Sequence, residues 1–236
     1  MIARPGNALM PVAATLLFGS LARAEQTDGS DTDLLQIGLG EETRHVTVGH
    51  LSLFLYPWAQ LEQDARDGDL FVCHLVQEAR PLIDPDGYLE KLRQAFRYRA
   101  SYAAEIGRAT DLAWFLTIFG TELNPQLLLK RALWCVRTIL IARSVEARQP
   151  VFAPARLADT ALSGSARDLL LNRRAARDRA AVQEALRDFL VNDLANDRLL
   201  DGVDRAAFIN RFETTANKVA LQTLRQENDD QASYRD

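Results

Sequence analysis

The chain has 236 residues, of which 47% are hydrophobic and 25% are charged, and its formal net charge is −4. These fractions are ordinary for a globular protein, and the length allows one large domain or two small ones. The mildly acidic balance argues against a broad nucleic-acid surface, and no apolar run approaches the ~20 residues that span a bilayer.

Cys73 and Cys135 both lie in apolar patterns with helical spacing. Such patterns are typical of buried thiols in a reducing compartment. We therefore expect a cytoplasmic protein that has no membrane partner.

The first predicted element is a buried strand that ends in a glycine. An apolar run at residues 14–18 stops at Gly19-Ser20, and a helical segment that carries Arg23 follows. Backbone N–H groups can approach an anion closely at such a glycine, and the N-terminus of the next helix favours negative charge. Ser20 adds a hydroxyl donor, and Arg23 in the first turn of that helix adds a second phosphate contact. The stretch therefore predicts a phosphate-binding loop.

A second strand follows a polar turn at residues 26–30 and opens with Asp31-Thr32-Asp33. Residues two apart on a strand point to the same face, so both carboxylates lie on one face and Thr32 on the other. Two oxygen ligands beside a phosphate-binding loop are suited to a hard divalent cation such as Mg²⁺.

This pattern resembles the signature of the nucleotidyltransferase superfamily of the DNA polymerase β type. That signature is Gly-Ser, an arginine shortly after, and then a carboxylate–x–carboxylate triplet that opens a strand. The residues that match it are Gly19, Ser20, Arg23, Asp31 and Asp33. The similarity extends to the small bacterial, minimal-nucleotidyltransferase members with the form GSxARG…SDxDLL, here GSLARAE…GSDTDLL.

The resemblance implies a Mg²⁺-dependent enzyme that moves an NMP group from an NTP to an acceptor hydroxyl. ATP is the expected NTP, and the acceptor would be a protein, an RNA end such as that of tRNA, or a small molecule. Asp31 and Asp33 would bind the metal as the catalytic carboxylates. Gly19, Ser20 and Arg23 would bind the nucleotide through its β- and γ-phosphates.

The N-terminal residues admit a second interpretation, a secretory signal peptide. Arg4 precedes an apolar run at residues 8–21, and Ala-Arg-Ala at 22–24 has the small–x–small pattern of a cleavage site. The mature chain would then be a secreted helical protein that begins at Glu25. A proline, a glycine and a serine interrupt the run, which is unusual for a targeting helix, so we prefer the phosphate-binding interpretation.

Residues 45–56, HVTVGHLSLFLY, are rich in β-branched and aromatic residues. They predict one long strand with a bulge at Gly49, antiparallel to the strand that Asp31 opens. Active family members carry a third carboxylate on this neighbouring strand, and Ser52 stands at the expected position, where a hydroxyl cannot replace a carboxylate for Mg²⁺. His50 on the same face is either a base or a structural side chain. Acidic residues elsewhere that could supply the missing charge are Glu41, Glu42, Glu62 and Glu78.

Residues 57–87 predict two short helices and a short strand. A proline opens the first helix, Gly68 ends it, and Asp69 caps the second. His74 and Glu78 are four apart on that second helix, so we expect a hydrogen bond between their side chains. No third ligand is nearby in the sequence, so we do not expect a metal site there.

The similarity to the small nucleotidyltransferases continues, with lower specificity, through the segment GDLFVCHLVQEARPLIDPDG. It therefore covers about the first 90 residues of the chain. One departure from the family pattern is Ala24, where a glycine is usual.

From residue 88 the apolar spacing becomes helical throughout. The first helix is expected to run to residue 119 and to end at Gly120, and the next begins at Asn124-Pro125. Further helices are expected at residues 155–162, 166–171, 177–195 and 203–226. The sequence thus predicts an α+β protein, with a nucleotidyltransferase-like mixed sheet flanked by helices at 1–87, an all-α bundle at 88–228 and a polar tail at 229–236.

The helical half suggests the HEPN-type ribonuclease bundle that accompanies many small nucleotidyltransferases. That nuclease needs a histidine shortly after an arginine, and no histidine follows His74, so we exclude this activity and expect the bundle to serve acceptor binding or homodimerisation. The missing third carboxylate leaves a further hypothesis open. The chain would then be a catalytically degenerate binding or regulatory module, such as an antitoxin or a phage-defence component with a partner protein.

Overall fold

The chain divides into two compact units, unit 1 at Met1–Arg99 and unit 2 at Ala100–Asp236. The computed structural model describes residues 11–25, 31–41, 43–173, 175, 177–194 and 204–233, with side chains up to residue 227. The polar turn expected at residues 26–30 lies outside the described residues, as do the last three residues of the expected tail.

Unit 1 is a five-stranded mixed sheet with helices. The strand order is β3-β4-β2-β1-β5; β2 and β4 are parallel, and the other neighbours are antiparallel. The elements in chain order are β1 (Val12–Phe18), α1 (Gly19–Ala22), β2 (Thr32–Gly38), β3 (Arg44–Val48), β4 (Leu51–Pro57), α2 (Trp58–Arg66), α3 (Leu70–Glu78), β5 (Arg80–Ile83) and α4 (Tyr88–Ala95).

β1 lies inside the sheet, between β2 and β5. Its alternate residues Ala14, Leu16 and Phe18 are buried, which is the period-2 pattern of a strand with one face on a core. Residues 12–18 of the N-terminal apolar run are therefore a core strand of unit 1. This placement contradicts the targeting helix that the signal-peptide interpretation requires.

The single long strand predicted at residues 45–56 is wrong, because the segment is a hairpin. β3 and β4 pair antiparallel through Val48 and Leu51, which leaves Gly49 and His50 as a two-residue turn. Gly49 has φ +57, the left-handed conformation that the first central position of a type II′ turn needs. The predicted bulge is thus a turn, and β4 runs parallel to β2 where an antiparallel partner was expected.

The boundary between α2 and α3 lies where its capping residues predict it. Asp69 accepts hydrogen bonds from Phe71 N at 2.7 Å and Val72 N at 3.2 Å, which confirms it as the cap of α3. Gly68 has φ +66, and a Cβ there would lie 2.4 Å from the carbonyl oxygen of Arg97. Only glycine fits between these two segments.

α4 belongs to unit 1, so the division between the units comes after residue 99. Asp84 caps this helix by accepting from Tyr88 N at 2.7 Å and Leu89 N at 3.0 Å. Arg93 on α4 donates to the carbonyl oxygen of Val76 on α3 at 3.1 Å. These contacts join α4 to the helices of the sheet unit.

Unit 2 is helical throughout its described residues. Its helices are α5 (Ala103–Phe119), α6 (Pro125–Glu146), α7 (Pro154–Thr160), α8 (Gly164–Leu171), α9 (Arg179–Leu194), α10 (Arg205–Thr214) and α11 (Lys218–Ser233). They enclose one hydrophobic core that includes Phe115, Ile139, Phe189 and Phe212. Together with the sheet of unit 1, this bundle confirms the α+β class. Among the described residues, no helix combines the length and apolarity that crossing a membrane would take.

Two of the predicted long helices are each two helices in the structure. The run expected at residues 88–119 is interrupted between α4 and α5. The run expected at 203–226 is broken by Ala216, which has φ +48, and α11 then continues to Ser233. Apolar spacing on both sides of each break stays helical, so the pattern alone does not reveal it.

Candidate functional site

The candidate site begins where β1 ends, at the contact between Gly19 and Asp33. Phe18 pairs with Asp33 across the antiparallel β1–β2 ladder, so the residue after Phe18 meets the Asp33 side chain. Gly19 has φ +76, and a Cβ there would lie 2.4 Å from Asp33 Oδ2. The positive φ favours glycine at this position, and a side chain there would also force the Asp33 carboxylate to move. Gly19 and the second aspartate of the triplet therefore lie directly beside each other.

Asp33 has Ser52 as its neighbour on the other side. The two residues pair in the parallel β2–β4 ladder, and paired residues on neighbouring strands point to the same face. Ser52 is buried. The residue that stands beside Asp33 on β4 is thus neutral, which agrees with the expectation that a third carboxylate is missing there.

Asp31 lies one residue before β2 and contacts the turn between β3 and β4. Its Oδ1 is 3.3 Å from His50 Nδ1, and both side chains are exposed. Thr32 N donates to the carbonyl oxygen of His50 at 2.7 Å, which fixes the turn against the start of β2. His50 therefore belongs to the surroundings of the Asp31 carboxylate, although it occupies a turn and not the strand position that was predicted.

The helix after the Gly-Ser corner is only one turn long, at Gly19–Ala22. A helix of four residues has a small macrodipole, so it contributes little to anion binding. Arg23 is the C-terminal cap of this turn, whereas the sequence places it in the first turn of a longer helix. Its backbone N–H donates to the carbonyl oxygen of Gly19 at 3.3 Å, and Glu25 N donates to that of Ser20 at 2.9 Å. The segment thus folds back on itself beside Asp33.

The guanidinium group of Arg23 contacts two carboxylates. Its Nε donates to Glu25 Oε2 at 2.7 Å, and its Nη1 donates to Glu78 Oε2 at the end of α3. Glu78 Oε2 also lies 2.8 Å from His74 Nε2, which confirms the expected hydrogen bond between those side chains. The ring of His74 packs edge-on against Phe18 at a centroid distance of 5.7 Å. A network of Arg23, Glu78 and His74 therefore links α3 to the Gly-Ser corner.

The charges in this network shift the pKa values of its members. Burial alone would raise the pKa of Glu78, but the hydrogen bonds and charges of His74 and Arg23 outweigh it, so the pKa lies below its ordinary value. Burial would likewise lower the pKa of Arg23, and its two carboxylate partners raise it instead. Both groups are ionised at neutral pH. Sequence spacing does not reveal the Arg23–Glu78 pair, because only the sheet topology brings these distant residues together.

The donor set at Asp31 and Asp33 fits a hard cation. Both side chains offer oxygen ligands, and Gly19 lies directly against Asp33 Oδ2. Within the part of the chain that the structure describes, no three His, Cys, Asp or Glu side chains form a metal-binding group. A cation at the two aspartates would therefore take its other ligands from a bound triphosphate and from water, as Mg²⁺ commonly does.

The sequence matches no protein-family profile and shows no significant similarity to a curated protein. Among solved structures, the chain is similar to a nucleotidyltransferase-like protein from Exiguobacterium sibiricum 255-15. The two chains share 12% sequence identity with a TM-score of 0.30, and the alignment covers 92% of this chain and 86% of that chain. At that score and identity, the similarity carries no argument about the site.

Proposed function

We propose that unit 1 binds a Mg²⁺–NTP complex, with ATP as the nucleotide, and transfers its NMP group to an acceptor hydroxyl. The observation that supports the proposal is the contact between Gly19 and Asp33, one residue from each half of the sequence pattern. The acceptor classes are a protein, an RNA end such as that of tRNA, or a small molecule. The two cysteines are free and buried, and burial raises the pKa of Cys73 to about 12, so they suit a reducing cytoplasm and take no part in the chemistry.

Each residue of the sequence pattern has a separate role in the proposed nucleotidyl transfer. Asp31 and Asp33 hold Mg²⁺, which neutralises charge on the phosphate oxygens when it is bound. The backbone at Gly19, the hydroxyl of Ser20 and the guanidinium of Arg23 bind the β- and γ-phosphates. The acceptor oxygen forms a bond to the α-phosphorus while the bond to pyrophosphate breaks, and the acceptor proton passes to a base.

The proposal predicts that Asp31→Asn and Asp33→Asn each remove transfer and Mg²⁺-dependent ATP binding. Each change replaces a metal-binding carboxylate with a neutral amide of the same size, so we expect a loss of at least about 100-fold in transfer. The measurement uses labelled ATP, Mg²⁺ and a cell lysate as the source of acceptors, together with calorimetric titration of ATP. Removing the metal with EDTA should have the same effect on the wild-type protein.

The matched control is Asp86→Asn, which alters an exposed carboxylate in the turn before α4. This variant should transfer and bind ATP as the wild-type protein does. If wild type neither binds Mg²⁺–ATP nor labels any acceptor, the proposed function is wrong. Equal activity of the Asp33 variant and the Asp86 variant would contradict the role given to Asp33.

A second candidate function is a catalytically degenerate binding or regulatory module, such as an antitoxin or a phage-defence component. The observation that favours it is the neutral, buried Ser52 beside Asp33 on β4. A module of this kind would bind ATP with the same affinity in the presence and absence of Mg²⁺ and would transfer nothing. It would also form a stable complex with a partner protein or a second copy of the chain, which size-exclusion chromatography with light scattering detects.

A further inference from the structure

The two carboxylates that contact Arg23 differ in how firmly they are held. Glu78 has a side chain that is 15% exposed, and its Oε2 accepts from both Arg23 and His74. Glu25 has a side chain that is 45% exposed and contacts Arg23 through Oε2 alone in the described network. Glu78 is thus fixed by a second partner on its own helix, whereas Glu25 can turn into solvent.

The guanidinium group of Arg23 can bind a phosphate in place of a carboxylate. A guanidinium carries five N–H groups in a planar fork that suits both carboxylate and phosphate. Glu78 occupies Nη1 and Glu25 occupies Nε. A phosphate oxygen has the charge and hydrogen-bonding capacity of the Glu25 carboxylate, so it can accept from the same Nε.

Glu25 is also placed to compete with a nucleotide at the Gly-Ser corner. Its backbone N–H is hydrogen-bonded to the carbonyl oxygen of Ser20 at 2.9 Å, so the Glu25 side chain begins next to the proposed phosphate-binding residues. Its negative charge would repel a triphosphate there. A carboxylate in this position acts as an internal substitute for phosphate.

We propose that Glu78 and His74 are positioning residues that fix Arg23 beside Gly19, and that a phosphate of the nucleotide displaces Glu25 from Arg23 Nε. The inference rests on the proposed function, because it concerns the same nucleotide site. Neither Glu78 nor His74 touches the nucleotide; both act through the guanidinium. Glu25 is then an autoinhibitory contact that binding must open.

The two parts of the proposal predict opposite effects on the Kd for Mg²⁺–ATP when a glutamate is replaced by glutamine. Glu78→Gln removes the charge that holds Arg23, so the Kd for Mg²⁺–ATP should rise roughly tenfold, the effect of misplacing one charge-assisted hydrogen bond. Glu25→Gln removes the competitor, so the Kd should fall by about twofold or more. His74→Gln should raise the Kd less than Glu78→Gln does. None of the three changes should alter the affinity for adenosine, which has no phosphate.

The matched control is Glu90→Gln, which removes an exposed carboxylate that pairs with Arg93 on α4 and should leave the Kd unchanged. Thermal melting checks that each variant is folded. If Glu78→Gln is not folded, His74→Gln tests the positioning role instead. A wild-type protein that fails to bind Mg²⁺–ATP would overturn the proposed function and this inference with it. If wild type binds, equal shifts in the same direction for the Glu25 and Glu78 variants, or no shift in either, overturn this inference alone.

Discussion

Gly19 and Ala24 both have left-handed backbone conformations, with φ +76 and φ +59, but for different reasons. At Gly19 the conformation brings the backbone against the Asp33 carboxylate, which a side chain at residue 19 would force to move. Ala24 is exposed, and its Cβ makes the left-handed conformation costly by about 1–2 kcal/mol. The backbone at residue 24 therefore holds a conformation that alanine does not favour.

Ala24→Gly should therefore stabilise the protein. Glycine adopts positive φ without strain, and this gain exceeds the additional entropy that glycine gives the unfolded chain, so we expect about 0.5–1 kcal/mol more free energy of unfolding. Urea denaturation measures the change. Ala59→Gly, at an exposed position inside α2, is the matched control and should cost about 1 kcal/mol instead. Destabilisation by both changes would show that Ala24 is not strained.

At the residue scale, the sequence predicts the spacing of the candidate side chains better than it predicts what they contact. Spacing along a strand suffices to place Asp31 and Asp33, because alternation is a local property of the backbone. Arg23 also stands where the pattern requires it. Its partner Glu78 lies on α3, and no local rule predicts that contact, because it depends on how α3 packs beside the end of β1.

Asn217 decides where the final helical run of the chain divides into α10 and α11. It is buried; its Oδ1 accepts from Ala220 N at 3.2 Å, and its Nδ2 donates to the carbonyl oxygen of Arg108 on α5 at 2.8 Å. One amide side chain thus caps α11 and ties it to the core of unit 2. Such a residue combines the effects of a helix cap and of a buried hydrogen bond.

We expect Asn217→Ala to lower the free energy of unfolding by about 2 kcal/mol, since both contacts are lost. Asn217→Ser should cost only about 1 kcal/mol, because serine can cap the helix but is too short to reach α5. Urea unfolding followed by circular dichroism gives both values. Asp204→Ala is the control for the loss of a helix cap alone, because Asp204 caps α10 through Ala207 N at 2.7 Å and is exposed. Equal costs for the Ala and Ser variants at Asn217 would contradict the role of the contact with α5.

The hairpin of β3 and β4 shows why element boundaries were harder to predict than element types. Residues 45–56 alternate in the same way whether they form one strand with a bulge or two strands with a tight turn. Gly49 serves either structure, because a G1 bulge and a type II′ turn both place a glycine at positive φ. The parallel pairing of β4 with β2 decides between them, and that pairing is a long-range contact. The strand character of the segment was predictable, but its reversal was not.

For the whole molecule, the change from strand to helix patterns near residue 88 predicts the α+β class, because each half needs its own core. The division after residue 99 follows instead from the packing of α4 on α2 and α3, which periodicity does not show. At the candidate site, too, some features follow from the local sequence and others from the topology. The motif residues are local, whereas Ser52 beside Asp33 and Glu78 beside Arg23 result from topology.

Stability at acid pH is also a property of the whole molecule, and two carboxylates of unit 1 should affect it with opposite sign. The pKa of Glu78 is lowered in the folded protein, so its contribution is present above the pKa of the unfolded chain and is lost as pH falls through the folded pKa. Burial raises the pKa of Asp64, with the charges of Asp69 and Asp67 acting in the same direction. Ionised Asp64 therefore destabilises the fold at neutral pH, and this cost disappears in acid.

Glu78→Gln should lower the free energy of unfolding at pH 7 by about 1–2 kcal/mol, and the difference from wild type should shrink towards pH 3. Asp64→Asn should raise it at pH 7 by a few tenths of a kcal/mol, because the amide keeps the acceptor for Gln60 Nε2 at 2.7 Å and removes the repulsion. This gain should also vanish in acid. Urea titrations of the three proteins from pH 3 to pH 8 test both signs. If the free energy of unfolding of both variants ran parallel to that of wild type across this pH range, neither carboxylate would titrate differently in the folded and unfolded states. The charge network around Arg23 would then contribute packing alone.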